Sequence, residues 1–178
     1  MRDDLKEIIF SEDEIRKRVA QLGARITLEY AGKSPLLIGV LKGSFIFLAD
    51  IARCIDLDCE IRFLSVSSYG FSSVTSGKAE IRDDLDFGVA GRDVIIFEDI
   101  LDSGVTLSSL RDFISARGPS SLRICAMLDK PERRRTPVDV DFLGFECPDE
   151  FIVGYGLDYA ERYRNLPFIA SLKHEIYS

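Results

Sequence analysis

The sequence has few of the residues from which metal clusters and disulfide frameworks are built. Only one of its 178 residues is histidine and four are cysteine. The cysteines, at positions 54, 59, 125 and 147, form no CxxC pair and lie mostly within apolar segments. Structural zinc sites and small disulfide-held folds depend on clusters of these residues. The composition therefore argues against both.

Positive charge is also in the minority. Lys and Arg number 23 against 30 Asp and Glu, which gives a formal net charge of -7 at pH 7. Non-specific affinity for nucleic acid or for an acidic membrane surface depends on positive charge. The sequence therefore predicts no nucleic-acid partner and no membrane partner.

Long apolar runs are absent as well. No stretch approaches the about 20 apolar residues that cross a bilayer as a helix. The opening residues, Met1 to Asp4, do not resemble a signal peptide. With 46% hydrophobic and 30% charged residues, the composition is that of a soluble globular protein. The length suits one domain, residues 1–178, and we expect it to be cytoplasmic.

One stretch, residues 94–107, joins an apolar run to a loop of unusual chemistry. Four apolar residues, Val94 to Phe97, are followed by acids and then by an Asp-Ser-Gly turn at 102–104. This order predicts a buried strand, a polar loop at its carboxyl end and a helix that begins near Val105. Ligands bind at that end of the strands in open α/β sheets.

The residue types of this loop suit a phosphate monoester. Gly104 lets the backbone turn so that successive N–H groups can point into one concavity. The following helix adds its unpaired N–H groups and the positive end of its dipole. Ser103 and Thr106 add hydroxyl donors. Together these groups predict a phosphate-binding loop.

The neighbouring acids restrict the class of possible ligands further. Carboxylates at Glu98 and Asp99 would repel a bound phosphate, unless they accept hydrogen bonds from neutral hydroxyls or act through a metal. A sugar phosphate satisfies this condition, with its ribose diol on the acids, and Asp102 is left as a candidate base. A solvated acidic turn with Ser103 as a helix N-cap is the alternative. The combined pattern favours the sugar phosphate.

Strands alternate with helices along the rest of the chain. A capping box formed by Ser11 and Glu14 predicts a helix that runs to about Tyr30. Further strands are predicted over residues 36–41, 60–67, 81–87, 122–128 and 140–145, and further helices over 45–55 and 105–116. The alternation predicts an α/β fold on a parallel sheet.

Two loops outside the central stretch bear on function. Lys42-Gly43-Ser44 follows the apolar run 36–41 and could be a solvated loop, but beside a phosphate-binding loop it predicts a second anion site that suits a diphosphate. Residues 68–78, rich in serine and glycine, form either a surface hairpin or a lid that carries Tyr69. We favour the lid, because a reactive sugar centre must be shielded from water.

The residues from Glu98 to Leu107 closely resemble the phosphoribosyl-pyrophosphate motif of type I phosphoribosyltransferases. Four other segments match in order: Leu41 to Ser44, Ser68 to Gly70, Leu128 to Pro131 and Phe151 to Tyr159. With them, essentially the whole chain resembles the short bacterial hypoxanthine (6-oxopurine) phosphoribosyltransferases. The resemblance implies the type I phosphoribosyltransferase fold: a central, mostly parallel sheet flanked by helices, with a small hood lobe from the chain termini.

The resemblance also implies an activity. It is the transfer of the 5-phosphoribosyl group from phosphoribosyl pyrophosphate to hypoxanthine, and to guanine, which gives IMP or GMP and pyrophosphate. Guanine or xanthine as the preferred base remains open. The implied cofactor is Mg²⁺, which would offset the repulsion between an acidic protein and polyphosphates, and the implied assembly is a homodimer or a homotetramer.

The family's roles carry over to matching positions. Under this resemblance Asp102 would be the acid/base residue that faces N7 of the purine, and Glu98 and Asp99 would hold the ribose hydroxyls, directly or through Mg²⁺. The 5′-phosphate would be wrapped by Ser103, Gly104, Val105, Thr106 and Leu107. Pyrophosphate would be bound by Lys42, Gly43, Arg134 and Arg164, next to a Leu41–Lys42 peptide that is often cis in the family.

The purine would be held by three further positions. Lys130 would bond the 6-oxo group, Phe151 would stack on the ring, and Ile152 would present backbone groups to the base edge. Asp158 would hold a second Mg²⁺. Ser68 and Tyr69 would belong to the closing lid.

Two other functions use similar patterns. A non-catalytic, nucleotide-sensing RNA-binding regulator on the same fold would need a basic face, whereas this chain is acidic. An aspartate-dependent phosphatase would need acids two residues apart, whereas Asp99 and Asp102 are three apart. Val105 departs from the family, where this position is often polar, but it contributes mainly backbone. His174 lies in the poorly matching tail and is assigned no role.

Overall fold

A computed structural model of the chain describes residues 2–67, 80–81 and 87–178. The predicted lid residues Ser68 and Tyr69 lie outside the described residues. In chain order the strands are β1 (Leu5–Phe10), β2 (Leu36–Leu41), β3 (Glu60–Ser67), β4 (Glu80–Ile81), β5 (Asp93–Leu101), β6 (Ser121–Asp129), β7 (Phe142–Glu146), β8 (Ile152–Val153) and β9 (Ile169–Leu172). The α-helices are α1 (Glu12–Glu29), α2 (Phe45–Ala52), α3 (Val105–Ser115) and α4 (His174–Tyr177).

The central sheet has the strand order β4-β3-β2-β5-β6-β7. Neighbouring strands pair in parallel through β3, β2, β5, β6 and β7. Among the described residues, the two-residue β4 pairs antiparallel with β3 at the edge. This arrangement confirms the predicted α/β architecture. It also places the carboxyl ends of β2, β5 and β6 side by side, because parallel neighbours end at the same edge.

Residues of β5 alternate between two cores. Ile95 and Phe97 face a core shared with α1 and α2, whereas Val94 and Ile96 face a second core closed by α3. All four side chains are fully buried. Burial on both faces explains why the sequence has a continuous apolar run here instead of an alternating one.

The helices largely follow their predictions. The capping box at the start of α1 is present, with the Ser11 hydroxyl accepting from the Glu14 backbone and the Glu14 carboxylate accepting from the Ser11 backbone. Helix α3 begins at Val105 as predicted. Helix α2 ends at Ala52, three residues early, because the chain leaves the helix in a tight turn in which the Cys54 N–H donates to the Ile51 carbonyl.

Strand β5 is longer than predicted. The sequence suggested that the strand gives way to a loop after Phe97, but the pairing with β6 continues through Glu98, Ile100 and Leu101. The backbone groups of these residues find partners on β6, and this decides where the strand ends. Glu98 and Asp99 therefore lie on the strand itself. Of the strand predicted over 81–87, residues 82–86 lie outside the described part of the chain.

A second, antiparallel sheet has the order β1-β9-β8. Its strands come from the two ends of the chain, as expected for the hood. Behind it lies a small separate core that includes Val153, Phe168 and Leu172. The segment that follows β8 lies against the loop after β2 and joins the hood to the central sheet. No helix in the described ranges is both long and apolar enough to span a membrane.

Candidate active site

A cavity of about 230 Å³ lies where the predicted site residues meet. Its lining is formed by the ends of β2 and β5, the loops that follow them and the first turn of α3. It contains Lys42, Gly43, Glu98, Asp99, Asp102, Ser103, Gly104, Thr106 and Leu107. The structure thus gathers residues from two distant sequence segments around one space.

The turn formed by residues 102–104, here called the Asp102 loop, has the backbone of an anion site. Gly104 is the N-cap of α3, with φ 81°, and a Cβ there would lie 2.2 Å from the Thr136 carbonyl oxygen. The Ser103 carbonyl is fixed from the same side by the Arg135 and Thr136 N–H groups, at 2.9 and 3.0 Å. The N-cap role considered for Ser103 is therefore taken by Gly104. The first N–H groups of α3 open onto the cavity, where an anion can accept from them.

Two carboxylates lie at the end of β5. Both Glu98 and Asp99 are half-buried, and Asp99 also accepts from the Ile100 N–H at 2.8 Å. Burial, together with the neighbouring Asp99 carboxylate, raises the pKa of Glu98 well above its ordinary value. Hydroxyl donors or a divalent cation would relieve the cost of holding two acids so close together.

The donor set fits Mg²⁺ better than a metal with an all-protein shell. Among the described residues, no group of three or more His, Cys, Asp or Glu side chains is arranged to hold a metal. Mg²⁺ is commonly held by one or two carboxylates, and water and substrate oxygens complete its octahedron. The pair formed by Glu98 and Asp99 matches that pattern.

Asp102 has the freedom expected of a group that acts on a ligand. Its Oδ1 atom is buried and has no hydrogen-bond partner among the described residues, and its Oδ2 atom is 4.0 Å from Nη1 of Arg133. Buried carboxylate oxygens are normally paired, because leaving one unpaired is costly. The Asp102 side chain as a whole is 47% exposed and lines the cavity, so a ligand there can contact the carboxylate.

The loop of residues 42–44, here called the Lys42 loop, is packed tightly at the rim. The Leu41–Lys42 peptide is cis, as the family resemblance implied. A Cβ at Gly43 would lie 1.5 Å from Oδ2 of Asp99, and a Cβ at Gly156 would lie 2.0 Å from the Gly43 carbonyl oxygen. Gly43 is therefore held between the end of β5 and the hood, with no space for a side chain.

A network of charges links the Lys42 loop to the hood. Lys42 Nζ is 3.0 Å from Glu161 Oε1, and Arg164 Nη2 is 3.3 Å from Glu161 Oε2. The same Arg164 atom is 2.8 Å from Asp158 Oδ1. The structure thus brings Lys42, Arg164 and Asp158 together, and their roles toward pyrophosphate and Mg²⁺ stay predictions. Sequence reasoning missed Glu161, although its spacing of three residues from both Asp158 and Arg164 was visible.

Arg134 lies beside the Asp102 loop. Its Nε donates to the Asp102 carbonyl at 3.1 Å, and its guanidinium also pairs with the Asp129 carboxylate. These contacts brace the backbone that carries Asp102, and Asp129 was another residue that the sequence did not single out. Contact between Arg134 and pyrophosphate stays a prediction.

Lys130 occupies the end of β6. It is buried, and its Nζ donates to the Glu150 carbonyl at 2.5 Å, directly before Phe151. Burial lowers its pKa below the ordinary lysine value. The contact with the Glu150 carbonyl is the one hydrogen bond of the ammonium within the described residues, and two further hydrogens can still donate.

The Phe151 ring is flanked by two tyrosines. It stacks on Tyr177 with centroids 4.8 Å apart, and it meets Tyr159 edge-on at 5.4 Å. Ile152 is buried in β8, immediately after it. Tyr177 belongs to the C-terminal tail, where the sequence had suggested no role. Its contribution could not be read from local spacing, because 26 positions separate it from Phe151.

Comparison with known proteins places these features in a context. Residues 7–160 match the family model described as "Phosphoribosyl transferase domain". The chain is 52% identical to hypoxanthine-guanine phosphoribosyltransferase of Bacillus subtilis (strain 168) over 177 residues, which cover 99% of this chain and 98% of the relative. It is 48% identical to the enzyme of the same name from Streptococcus agalactiae serotype V, over 100% of this chain and 99% of the relative.

A solved structure gives the same picture. A hypoxanthine phosphoribosyltransferase from Staphylococcus aureus superimposes with a TM-score of 0.95 at 44% identity, covering 100% of this chain and 97% of that one. Its likeness extends over both the central sheet and the hood.

Proposed function

The chain belongs to the phosphoribosyl transferase family, and from that premise we propose that it is a purine salvage enzyme. It transfers the 5-phosphoribosyl group from phosphoribosyl pyrophosphate to hypoxanthine, and to guanine, and it releases IMP or GMP and pyrophosphate. The observation that carries the proposal is the shared cavity of the Asp102 loop, the Lys42 loop and the paired acids Glu98 and Asp99. A phosphate, a diphosphate and a ribose diol each have a matching group there.

The reaction moves negative charge onto the departing pyrophosphate. The bond from C1′ to pyrophosphate breaks through an oxocarbenium-like state, and the purine then bonds to C1′. Lys42 and Arg164, which both pair with Glu161, would stabilise the developing anion, and backbone groups of the Lys42 loop would bind beside them. Asp102 accepts the proton that the purine loses at N7.

Mg²⁺ is the proposed cofactor. Glu98 and Asp99 would hold the ribose hydroxyls, directly or through one Mg²⁺ ion, and Asp158 would hold a second ion. When bound, Mg²⁺ supplies positive charge for the diphosphate. Burial and the Asp99 carboxylate raise the pKa of Glu98, and a bound cation would offset this effect by favouring the charged carboxylate.

A spectrophotometric assay tests the function directly. The protein is given phosphoribosyl pyrophosphate, Mg²⁺ and one base at a time: hypoxanthine, guanine, xanthine, adenine or uracil. We expect turnover of hypoxanthine and guanine, none of adenine or uracil, and loss of turnover in excess EDTA that Mg²⁺ restores. If no purine is turned over while phosphoribosyl pyrophosphate still binds, the result would contradict the proposal and favour a sensing role.

Base discrimination should depend on Lys130. Replacing it in Lys130→Met keeps most of the side-chain volume but removes the donor to the 6-oxo group. A hydrogen bond to a charged group contributes about 1.5–3 kcal/mol, so kcat/KM for hypoxanthine should fall roughly 10- to 150-fold. The ratio of kcat/KM for hypoxanthine to kcat/KM for adenine should fall, because the ammonium that disfavours the 6-amino group of adenine is gone. Steady-state kinetics on both bases measures the change.

Lys6→Met is the matched control for that variant. Lys6 pairs with the Glu150 carboxylate at 2.7 Å from the solvent side, whereas Lys130 bonds the carbonyl of the same residue from inside. Exposed ion pairs contribute little to stability or activity. Equal losses in the two variants would mean that the position of Glu150, and not the Lys130 ammonium, is what matters.

We also propose that the enzyme is a homodimer or a homotetramer. Ile61 and Phe63 share one face of β3 and are 43% and 46% exposed, and Phe45 at the start of α2 is 42% exposed. An apolar group of this kind on a sheet near its edge suits a protein interface. Phe45 directly follows the Lys42 loop, so an interface that includes it would make assembly and activity interdependent.

Light scattering measures this assembly. Wild-type protein is expected to run as a dimer or a tetramer, and Phe63→Arg is expected to shift it toward the monomer by burying an unpaired charge. Leu28→Arg is the control, because Leu28 is 78% exposed on α1, well apart from the patch in sequence. A monomeric wild type would refute the proposal.

A further inference from the structure

Tyr155 adopts a backbone conformation that a large residue rarely holds. Its φ is 51°, and it lies between Gly154 at 98° and Gly156 at 101°. The left-handed region is unfavourable for residues that carry a Cβ, and it persists where the surroundings over-determine it. Something must therefore hold this tyrosine in place.

A hydrogen bond across the fold supplies the restraint. The Tyr155 hydroxyl donates to Oδ2 of Asp50 on α2 at 2.9 Å, although 105 positions separate the two residues. The tyrosine is only 5% exposed. Its backbone is fixed as well, because its N–H donates to the Leu166 carbonyl at 2.9 Å. The Tyr155 side chain therefore connects the hood to α2, the helix that follows the Lys42 loop.

The next residue transmits this restraint to the site. Gly156 lies directly against the Gly43 carbonyl, and Gly43 lies directly against the Asp99 carboxylate. The Gly156 carbonyl in turn accepts from Nη1 of Arg164 at 2.8 Å. Gly156, the residue after Tyr155, therefore begins a series of contacts that runs from the hood through the Lys42 loop to β5.

We propose that Tyr155 and Asp50 are positioning residues for the diphosphate. Their hydrogen bond keeps the hood closed against the Lys42 loop, so that Lys42 and Arg164 face the same group. Neither residue is placed in contact with substrate. The inference rests on the proposed phosphoribosyl transfer, because it assigns the Lys42 loop to pyrophosphate.

Tyr155→Phe tests the pair by removing one oxygen and keeping the ring. A small displacement of a positioning element can cost about 100-fold, so kcat/KM for phosphoribosyl pyrophosphate should fall roughly 10- to 100-fold. Affinity for pyrophosphate, measured by calorimetry, should weaken in the same way. KM for hypoxanthine should change much less, since Lys130 directly follows β6 and is not part of the hood.

Tyr163→Phe is a matched control within the same lobe. Tyr163 is also buried, also has a positive φ of 75°, and also donates its hydroxyl to an aspartate, Asp4, at 2.9 Å. That bond stays within the hood, because Asp4 directly precedes β1, and it does not reach α2. We expect a similar fall in melting temperature for both variants, but normal kinetics with phosphoribosyl pyrophosphate for Tyr163→Phe.

Variants of Asp50 complete the test. Asp50→Asn keeps an oxygen that can accept from Tyr155 and should restore near-normal KM for phosphoribosyl pyrophosphate, whereas Asp50→Ala should reproduce the Tyr155→Phe defect. The double variant Tyr155→Phe/Asp50→Ala should be no worse than either single one.

Two failures are distinguishable. If wild-type protein turns over no purine, the proposed function falls. If wild-type protein is active and Tyr155→Phe matches Tyr163→Phe, with lower stability but unchanged use of phosphoribosyl pyrophosphate, the positioning role is overturned.

Discussion

Asp102→Asn is expected to lower turnover about 10²- to 10⁴-fold, the usual contribution of a positioned acid/base group. Binding of phosphoribosyl pyrophosphate should remain close to wild type, because the Asp102 carboxylate makes few contacts that the protein itself needs. Its Oδ1 has no partner within the described chain, and its Oδ2 is 4.0 Å from Arg133. Steady-state kcat and calorimetric titration of the diphosphate sugar separate the two effects.

The substitution isolates proton transfer because asparagine has nearly the same shape. The amide cannot accept the N7 proton at neutral pH, yet the backbone carbonyl of residue 102 can still accept from Arg134. Asp139→Asn is a suitable control for loss of one negative charge, since Asp139 is exposed on the stretch before β7. Unchanged turnover in Asp102→Asn would remove this residue from the mechanism.

Sequence reasoning worked best where one local pattern dictates one structure. The run from Val94 to Phe97 predicted a buried strand, since burial on both faces removes the need for polar residues. Gly104 followed by α3 predicted the helix start that the structure contains. The relation of these elements to a sugar phosphate stays a prediction, which rests on the residue types at the strand end.

Long-range partners could not be predicted in the same way. The contact of Tyr155 with Asp50 and that of Lys42 with Glu161 each join residues more than 100 positions apart. Neither spacing nor residue type specifies such a pair, because it depends on how the hood docks on the central sheet. The end of β5 was misjudged for the same reason, since β6 determines it.

The Glu161 pair with Lys42 is too weak to block pyrophosphate. Both side chains are well exposed, at 65% for Lys42 and 64% for Glu161. Exposed pairs of this kind contribute roughly 0–1 kcal/mol, which is small beside the attraction between a lysine and a diphosphate. If Lys42 binds pyrophosphate as proposed, the anion would displace Glu161 from it at little cost.

Gly43→Ala, which adds one methyl group, is expected to remove most activity. That group would overlap the Asp99 carboxylate, whose Oδ2 lies 1.5 Å from the Cβ position, so either Asp99 or the Lys42 loop must move. Misplacing such a group by about 1 Å can cost 100-fold. We expect kcat/KM for phosphoribosyl pyrophosphate to fall by about that factor, with weaker calorimetric binding of the diphosphate sugar.

Gly88→Ala provides the matched control, because a Cβ at Gly88 meets no atom of the described residues within 4 Å and its φ is not positive. It should leave kinetics and melting temperature unchanged. A comparison of the two variants separates a steric clash at the site from any general effect of replacing glycine. If Gly43→Ala bound phosphoribosyl pyrophosphate normally, the Lys42 loop would have freedom to move away from Asp99. The close packing of Gly43 between β5 and the hood would then have no part in holding the diphosphate.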